Sequence, residues 1–377
     1  MKKILVYLCI VAVILTCAGC GSSSDDAVKI DLNKMTITGK GAVIDGKNIN
    51  ITSGGEYNVS GTLVGGMIYV NTSNVVRLNL DSVDIYNDLG PAIYVESGEK
   101  VHINLNSDEE SYLVAGTGKG ESYSAVYSKA ELVIEGIGVA KFVGETKNAV
   151  ECTEDVTVDG GNFILEADRC GIITSGKLSV VSGDMTIYAK SDTGLMSLAG
   201  TEITGGVVRL TTGDSGIASD GSILFGGGTV NIESSGVGVS SDDEITVDGG
   251  AIFVLSDNSG VSATNRFAVN SGSVVIETSS DNSPVECNGD VYIGDGTVFA
   301  VSKGEMSTLK YTADSRPIQT VDTGKQTVGA YVELKDSADN VKFDYTSNID
   351  FNNLVISHNG LDVNDGSKVY INGVQIR

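Results

Sequence analysis

The chain has no tryptophan, and its 377 residues include only 2 histidines and 3 prolines. A histidine-based metal site or catalytic triad therefore has almost no material to be built from. The scarcity of proline suits long hydrogen-bonded strands, because proline removes a backbone donor from a ladder. No 3.6-residue apolar period runs through the body of the chain, which argues against helices.

Cysteines are also few, and beyond the first 20 residues they are Cys152, Cys170 and Cys287. They form no CxxC pair and no Cys/His spacing typical of a zinc site. Cys152 and Cys287 lie six repeats apart, beyond disulfide reach, and Cys170 occupies a different column from Cys152. We expect all three to be small buried apolar side chains.

Positive charge is scarce, with 25 Lys and Arg against 49 Asp and Glu, for a net charge of −24. Such a chain does not bind nucleic acid or an anionic membrane through its own charge. It can bind an acidic polymer only with cations in between. The alternative is that the acidic surface only keeps the protein soluble.

One short phrase recurs nine times: a small residue, a branched apolar residue and then a polar turn. The copies start at Ala92, Ala125, Ala149, Gly171, Gly194, Gly216, Gly238, Gly260 and Pro284, with steps of 33, 24, 22, 23, 22, 22, 22 and 24 residues. A fixed period of this length predicts a solenoid, in which equivalent residues stack into ladders on one surface.

Each repeat contains three short strands with alternating apolar positions, and glycine, of which there are 48, supplies the turns between them. This pattern predicts an all-β fold, a parallel β-helix of about 22 residues per turn over residues 30–302. Residues 303–377 lose the repeat and are predicted to form a C-terminal β cap over the exposed end. The 33-residue step predicts an insertion at 107–124 that protrudes as a loop.

The N-terminus has the features of a bacterial lipoprotein signal. A basic start (Met1, Lys2, Lys3) precedes an apolar run over residues 4–15 and then the sequence CAGC at residues 17–20. We expect removal of residues 1–19, lipidation of Cys20 and a flexible tether over residues 20–29. The protein would then be extracellular and held at the outer face of the membrane by its lipid alone. Ordinary secretion with cleavage near Gly19 is the alternative.

Acidic residues recur on both sides of the repeated phrase. Two to three residues before it stand Asp168, Asp192, Asp214, Asp257 and Asp281, and after it stand Asp220 and Asp242, the latter followed by Asp243. Carboxylates stacked about 4.8 Å apart repel each other unless a cation lies between them, and Ca²⁺ prefers oxygen ligands. The predicted Ca²⁺ ligands are Asp192, Asp214, Asp220, Asp242 and Asp243, and the predicted substrate contacts are Asp168, Arg169 and Asp257. Alternatively, these Asp residues only bond turn N–H groups.

Catalysis has weak support in the sequence. Arg169 is the only arginine of the repeats beside an acidic column, and Asp242–Asp243 is the only adjacent Asp pair in them. We therefore expect a protein without enzyme activity. Tyr69 and Tyr94 follow their isoleucines at the same offset and could stack, either as a sugar platform or as one more structural ladder.

Several segments resemble the clostridial carbohydrate-binding β-helix domain family. They are residues 56–63 (EYNVSGTL), 66–70 (GMIYV), 76–85 (VRLNLDSVDI) and 91–95 (PAIYV) in the opening, and 353–357 (NLVIS) in the tail. The resemblance implies a right-handed, pectate-lyase-like β-helix that binds Ca²⁺ and acidic plant polysaccharide such as polygalacturonate, with cellulose as a further candidate and no established catalysis. Departures at Arg169, Asn258 and Asn282, where the family's acid is replaced, centre the expected Ca²⁺ column on Asp192, Asp214, Asp220 and Asp242.

The sequence thus predicts a monomeric, lipid-anchored surface protein that binds acidic polysaccharide, for example polygalacturonate in pectin, through Ca²⁺ bridges. Two alternatives stay open. One is a structural or adhesive surface protein without a glycan ligand, and the other is a weak polysaccharide lyase.

Overall fold

The computed structural model describes residues 27–316, 318–359, 361 and 366–377. The regular secondary structure of the described residues is strand, apart from one helical segment, the 3₁₀ turn Gly118–Gly120. Stacked parallel coils form a β-solenoid of about 11 turns. The parallel β-helix predicted from the 22-residue repeat is therefore confirmed.

Two sheets run the length of the solenoid. Sheet 1 has 22 strands: Val28–Asp31, Thr36–Thr38, Gly55–Val64, Val76–Asn87, Lys100–Leu105, Ser111–Ala115, Glu131–Gly144, Val156–Ala167, Leu178–Ala189, Thr201–Ile203, Val207–Thr212, Ile223–Phe225, Thr229–Ser234, Glu244–Val247, Ala251–Ser256, Arg266–Val269, Ser273–Thr278, Asp290–Ile293, Thr297–Ser302, Lys310–Tyr311, Gln319–Gln326 and Phe351–Ser357. Sheet 2 has 12 short strands: Ala42–Asp45, Asn48–Ile51, Ile68–Asn71, Ile93–Ser97, Val126–Ser128, Val150–Cys152, Ile172–Thr174, Leu195–Ser197, Ile217–Ser219, Val239–Ser241, Val261–Ala263 and Val285–Cys287.

The repeated phrase marks sheet 2. The apolar residue of each copy is the first residue of a sheet 2 strand, points inward and is buried. These residues pair in register from coil to coil, as Ile172 does with Leu195 and Leu195 with Ile217. Since parallel strands buried on one side stack like on like, the ladder of Val, Ile and Leu forms the dry core that the sequence predicts.

Glycine sets the bends within sheet 1. In the strand Val156–Ala167 the chain turns at Gly160 and Gly161, whose φ angles are 111° and 80°. In the later coils the same bend separates two strands at Gly206, Gly228, Gly250 and Gly272, with φ between 77° and 78°. A side chain is rarely tolerated at such φ values, which explains the spacing of these glycines.

The predicted loop at 107–124 is wrong in part. Ser111–Ala115 forms an ordinary strand of sheet 1, paired in parallel with Val76–Asn87 and Glu131–Gly144. The side chains of Leu113 and Ala115 are buried in the core. Residues 107–110 and 116–124 of the predicted loop lie outside the strands, and the second of these segments contains the 3₁₀ turn.

The parallel stack ends near its C-terminus in antiparallel strands. Phe351–Ser357 pairs antiparallel with Thr297–Ser302 and with Gln319–Gln326. A four-stranded sheet 3 follows, formed by Tyr331–Lys335, Val341–Thr346, Lys368–Ile371 and Val374–Gln375. Sheet 3 and the last coils share a second apolar cluster that includes Phe299, Leu334 and Phe351. The domain boundary at 302/303 stays a prediction.

Burial confirms most of the cysteine prediction. Cys152 and Cys170 are buried and Cys287 is half-buried, so the prediction of full burial is wrong for Cys287. All three thiols are free.

The predicted signal peptide, the lipidated Cys20 and most of the tether lie outside the described residues. Within the described ranges, no helix has the length and apolar character needed to cross a membrane.

Candidate functional site

The outward face of sheet 2 forms a strip that runs along the solenoid. In most coils the short strand buries its first and third residues and turns its middle residue outward, half-buried. From the strand Asn48–Ile51 to the last, these outward residues are Asn50 at the tip, followed by Tyr69, Tyr94, Tyr127, Glu151, Ile173, Met196, Ala218, Ser240, Ser262 and Glu286. One end of the strip is thus aromatic, and the other end carries small and polar side chains.

The predicted acidic residues border this strip in two separate ladders. The leading ladder lies three residues before the first residue of each strand and contains Arg169, Asp192 and Asp214 in successive coils. The trailing ladder begins directly after each strand and contains Asp220 and Asp242. The four acids expected to centre one Ca²⁺ column therefore lie at opposite ends of the sheet 2 strands, two in each ladder.

Most of the leading ladder already has partners. The guanidinium of Arg169 contacts Oδ2 of Asp192, with Nη2 at 3.0 Å and Nε at 3.3 Å. The N–H of Thr193 donates to Oδ1 of Asp192 at 2.9 Å. Asp214 is exposed, and its carboxylate makes no hydrogen bond or ion pair with another described residue.

Asp168 and Asp257 occupy the position that precedes the leading ladder by one residue. Nζ of Lys190 lies 3.5 Å from Oδ1 of Asp168. The hydroxyl of Ser279 donates to Oδ1 of Asp257 at 2.5 Å. The range of two to three residues before the repeated phrase spans both of these neighbouring positions, so counting along the sequence merged them.

The carboxylates of the trailing ladder have fewer bonding partners than those of the leading ladder. The backbone N–H of Asp220 donates to the Ser197 carbonyl and that of Asp242 to the Ser219 carbonyl, at 3.1 and 3.0 Å. The two aspartates thus stand in equivalent positions one coil apart, about 4.8 Å along the stack. Both are exposed, and neither carboxylate has a hydrogen-bond or ion-pair partner among the described residues.

Buried serines hold the turns that carry the trailing ladder. The hydroxyl of Ser219 accepts from the N–H of Gly221 at 3.1 Å. The hydroxyl of Ser241 donates to the Gly221 carbonyl at 3.0 Å and accepts from the N–H of Asp243, also at 3.0 Å. Such side-chain bonds to the backbone fix a turn, and here they fix where Asp220 and Asp242 project.

The carboxylate of Asp243, unlike that of its neighbour Asp242, has hydrogen-bond partners. Its carboxylate accepts from the hydroxyl of Ser222 at 2.6 Å and from Nδ2 of Asn265 at 2.9 Å. These donors hold the pKa of Asp243 below its usual range. Asp243 therefore ties three coils together, and a cation would compete with two existing bonds for its oxygens.

Among the described residues, no three Asp, Glu, His or Cys side chains converge closely enough to hold a metal ion. Ca²⁺ takes six to eight oxygen ligands. A Ca²⁺ ion at Asp220 and Asp242 would need the remaining oxygens from backbone carbonyls, water or a bound polymer. The predicted ligand set thus stays a prediction, with Asp220 and Asp242 as its most accessible pair.

The aromatic end of the strip contains a tyrosine stack. The rings of Tyr69 and Tyr94 have centroids 5.5 Å apart, and those of Tyr94 and Tyr127 are 5.3 Å apart with an interplanar angle of 21°. Tyr69 and Tyr94 are ring neighbours as expected, although their ring planes are tilted by 33°. Sequence reasoning missed Tyr127 as the third member, although its offset within Ala125-Val126-Tyr127 repeats that of Tyr94.

Charged pairs flank the tyrosines. Lys129 contacts Glu96 at 2.9 Å, and the hydroxyl of Tyr94 donates to the same carboxylate at 2.5 Å. These two donors lower the pKa of Glu96. Two coils further on, burial raises the pKa of Glu151, but Lys147 and two neutral donors outweigh burial and leave the pKa lowered.

Comparison with known proteins places the chain in a family. Residues 45–236 match a family model described as carbohydrate-binding domain-containing protein. Because this match covers about half of the chain, the chain belongs to that family. The resemblance noted from the opening segments is confirmed.

One curated relative and one solved structure give the extent of the similarity. A carbohydrate-binding domain-containing protein from Acetivibrio thermocellus is 29% identical over 136 residues, which are 34% of this chain and 48% of the relative. The matched stretch therefore spans about half of that relative. A polysaccharide lyase-like protein from C. thermocellum is similar in structure, with 22% identity, a TM-score of 0.45, and coverage of 72% of this chain and 98% of the other.

Proposed function

We propose that this protein binds an acidic polysaccharide along the sheet 2 strip and that Ca²⁺ ions bridge the carboxylates of protein and polymer. The observation that carries the proposal is the trailing ladder, where Asp220 and Asp242 stand one coil apart without partners among the described residues. Two like charges at this spacing favour a cation between them. Membership of the carbohydrate-binding family supports a glycan as the ligand class.

The bridging geometry follows from the number of oxygens. Two protein carboxylates supply at most four of the six to eight oxygens that Ca²⁺ takes. Uronate carboxylates of a polymer such as polygalacturonate supply further oxygens of the same kind. The ion then binds well only when both partners are present, so protein and polymer bind Ca²⁺ together.

The leading ladder has a second role in this proposal. Asp192 and Asp214 form another acidic pair, but Arg169 neutralises Asp192 in the free protein. The guanidinium is 57% exposed and can move to a uronate carboxylate, which leaves Asp192 for Ca²⁺. Asp168 and Asp257 lie beside this ladder and contact the polymer through water or Ca²⁺. Asp243 becomes a Ca²⁺ ligand only after it loses its hydrogen bond from Ser222 or from Asn265.

The proposed protein binds polysaccharide without cleaving it. A lyase needs a base that can take a proton, whereas the Arg169 guanidinium stays charged and binds a carboxylate both in the free protein, where it donates to Asp192, and in the proposed complex. Incubation with polygalacturonate and Ca²⁺ should release no unsaturated product absorbing in the ultraviolet. Release of that product, with its loss in Arg169→Ala, would establish the lyase instead.

We further propose that lipidated Cys20 holds the protein, as a monomer, on the outer face of the membrane. The full chain should partition into the membrane fraction, and Cys20→Ser should release it to the medium. Release of the unaltered chain in the same experiment would contradict lipid anchoring.

The direct test of binding is retention of the soluble chain, from Gly21 onward, on insoluble polygalacturonate. Retention should occur with Ca²⁺ and disappear with chelator. Asp220→Ala/Asp242→Ala should weaken retention by about tenfold or more, since each lost ligand removes part of the Ca²⁺ coordination.

The matched control is Glu56→Ala/Glu233→Ala, which removes the same charge from two exposed sheet 1 side chains without ion-pair partners among the described residues. This variant should be retained like the unaltered protein. Equal loss in both double variants would show a general charge effect. No retention of the unaltered protein in either condition would overturn the proposal and favour a structural or adhesive surface protein.

A further inference from the structure

The N-terminal end of the solenoid, residues 28–47, has a charge opposite to that of the molecule as a whole. Its charged residues are Lys29, Asp31, Lys34, Lys40, Asp45 and Lys47, for a net charge of +2, whereas the whole chain carries −24. Physiological salt screens charges over about 8–10 Å. A surface in contact with this end therefore responds to its local charge and not to the net charge of the chain.

This end is also the exposed edge of both long sheets. Thr36–Thr38 is the outermost strand of sheet 1 and Ala42–Asp45 that of sheet 2, since each pairs on one side only among the described residues. Lys40 lies in the connection between them. Val43 and Ile44, on the sheet 2 edge strand, are 53% and 40% exposed. Charge alone protects a sheet edge from strand addition, whereas adjacent exposed apolar side chains among lysines suit a surface with both charged and apolar layers.

Two of the four lysines are free to meet an anion. Lys29 and Lys40 are exposed, and neither ammonium group has a hydrogen-bond or ion-pair partner in the described parts of the chain. Lys34 pairs with Asp31 at 2.6 Å, and Lys47 donates to a backbone carbonyl at 3.0 Å. Lys29 and Lys40 thus account for the positive charge that the end can offer to a partner.

The predicted lipid anchor confines this end to the membrane. Cys20 precedes Ala27, the first described residue, by seven residues. A chain of that length spans about 25 Å at most, whatever its conformation. The solenoid of about 11 turns is about 50 Å long, at about 4.8 Å per coil. Its far end therefore reaches the bilayer only if the solenoid lies on an acidic flank, which anionic headgroups repel.

We propose that the N-terminal end docks on anionic lipid headgroups, so that the solenoid stands on the bilayer and the sheet 2 strip projects away from it. Lys29 and Lys40 contact lipid phosphates, and Val43 and Ile44 enter the layer between headgroups and acyl chains. This docking rests on the proposed lipidation of Cys20, to which it adds a second, electrostatic attachment.

The test supplies the tether chemically, so that a failure of lipidation in the cell is distinguished from a failure of docking. The chain from Cys20 onward, with Cys287→Ser, is coupled through the Cys20 thiol to a maleimide lipid, because the other two thiols are buried. The vesicles contain phosphatidylcholine alone or phosphatidylcholine with an equal part of phosphatidylglycerol. Since the chain has no tryptophan, Ile44→Trp provides a single fluorescent reporter.

The tryptophan emission should shift to the blue on vesicles with phosphatidylglycerol and should stay as in solution on phosphatidylcholine alone. Lys29→Gln/Lys40→Gln should lower the ratio of docked to undocked protein about tenfold or more, since each lysine near an anionic surface contributes about fivefold. The matched control is Lys303→Gln/Lys325→Gln. It removes the same charge from two exposed lysines without ion-pair partners among the described residues and should leave the shift unchanged.

Two further variants separate docking from other contacts. Val43→Asp changes an exposed side chain outside the core and should weaken docking severalfold even if the double lysine variant fails to fold. Val328→Trp, used instead of Ile44→Trp, places the reporter at a position that is 61% exposed in the C-terminal region and should show no shift. No shift of Ile44→Trp with phosphatidylglycerol overturns the proposal. An equal shift on phosphatidylcholine alone also overturns it, because the end would then contact neutral lipid or a second copy of the chain.

Discussion

At the residue scale, the small residue before each sheet 2 strand sets how closely the coils approach. A Cβ atom at Gly216 would lie 2.3 Å from Cγ2 of Ile232 and 2.6 Å from the Gly238 carbonyl oxygen. Earlier coils accept alanine at this position, as at Ala92 and Ala125, both fully buried. The need for a small residue is therefore a packing requirement, which is why it repeats with the fold.

Gly216→Val should destabilise the protein by about 1–3 kcal/mol, the usual cost of overpacking a core. Urea unfolding followed by circular dichroism measures the change. Ala218→Val, on the outward side of the same strand, is the control and should change stability by less than about 0.5 kcal/mol. Equal effects of the two substitutions would contradict the packing argument.

Thiol reactivity is a second property of single residues. Burial raises the pKa of Cys152 from 9.0 to about 11 and that of Cys170 to about 12. At pH 8 both thiols are therefore almost wholly protonated, and the thiolate is the reactive species. In the soluble chain, a thiol reagent at pH 8 should label the half-buried Cys287 first, and the other two only after unfolding. Rapid labelling of all three in the native state would contradict their burial.

Arg169 tests the leading ladder at the same scale. Arg169→Gln should weaken Ca²⁺-dependent retention on polygalacturonate by up to about fivefold, since exposed ion pairs contribute about 0.2–1 kcal/mol. Arg209→Gln, which removes an exposed arginine paired with Asp184 on sheet 1, is the control and should have no effect. Stronger retention of Arg169→Gln would mean that Arg169 only blocks Asp192.

At the scale of elements, strand register decides which side chains form a ladder. The repeated phrase predicts sheet 2 and its core ladder correctly, because the first inward residue of each strand must be apolar and must recur with the coil. It does not predict the strand Ser111–Ala115, which lies within the one irregular step. It also merges Asp168 with Asp192, because the range of two to three residues before the phrase covers two neighbouring turn positions whose side chains lie in different ladders.

The tyrosine stack shows the same limit. Tyr127 follows its valine at the offset that Tyr94 has from its isoleucine, but the 33-residue step between the two phrases hides their adjacency. The pairing of Tyr127 with Tyr94 in neighbouring strands requires the intervening residues to form their own strands. Tyr123, which lies in the segment outside the strands, has no periodic signal at all.

Attachment of the C-terminal strands depends on a buried carboxylate. Glu277 is fully buried and accepts from the N–H of Asn348 at 2.6 Å, from Nδ2 of Asn348 at 3.0 Å and from the hydroxyl of Ser347 at 3.2 Å. Its ladder position in sheet 1 is exposed two coils earlier, at Glu233. The chain between the antiparallel strands therefore docks on a side chain that would otherwise face solvent.

Glu277→Ala should destabilise the protein by about 1–3 kcal/mol, because the Ser347 and Asn348 donors lose their buried acceptor. It should also expose the C-terminal strands to limited proteolysis before the repeats are cut. Glu233→Ala, the equivalent exposed position, should change neither property. Intact resistance to proteolysis in Glu277→Ala would contradict a docking role.

At the scale of the whole molecule, the solenoid presents one long strip with two kinds of chemistry. Its aromatic end has balanced charge, and the section beside Asp220 and Asp242 is acidic. The net charge of −24 repels a polyuronate at long range, so an acidic polymer stays bound only where cations offset both charges. A linear arrangement of sites suits a linear ligand, because neighbouring units of the polymer can occupy successive coils.

The central claim is that Ca²⁺ binds at the trailing ladder jointly with the polymer, and the most direct measurement is the Ca²⁺ affinity of the soluble chain with and without a soluble oligogalacturonate. If Ca²⁺ and the oligomer share one site, thermodynamic linkage requires each of them to raise the affinity of the protein for the other by the same factor. After the Ca²⁺ bound by oligogalacturonate alone is subtracted, the affinity should rise about tenfold or more when the oligomer is present, and Asp220→Ala/Asp242→Ala should abolish the rise. A Ca²⁺ affinity that the oligomer leaves unchanged would contradict the bridge.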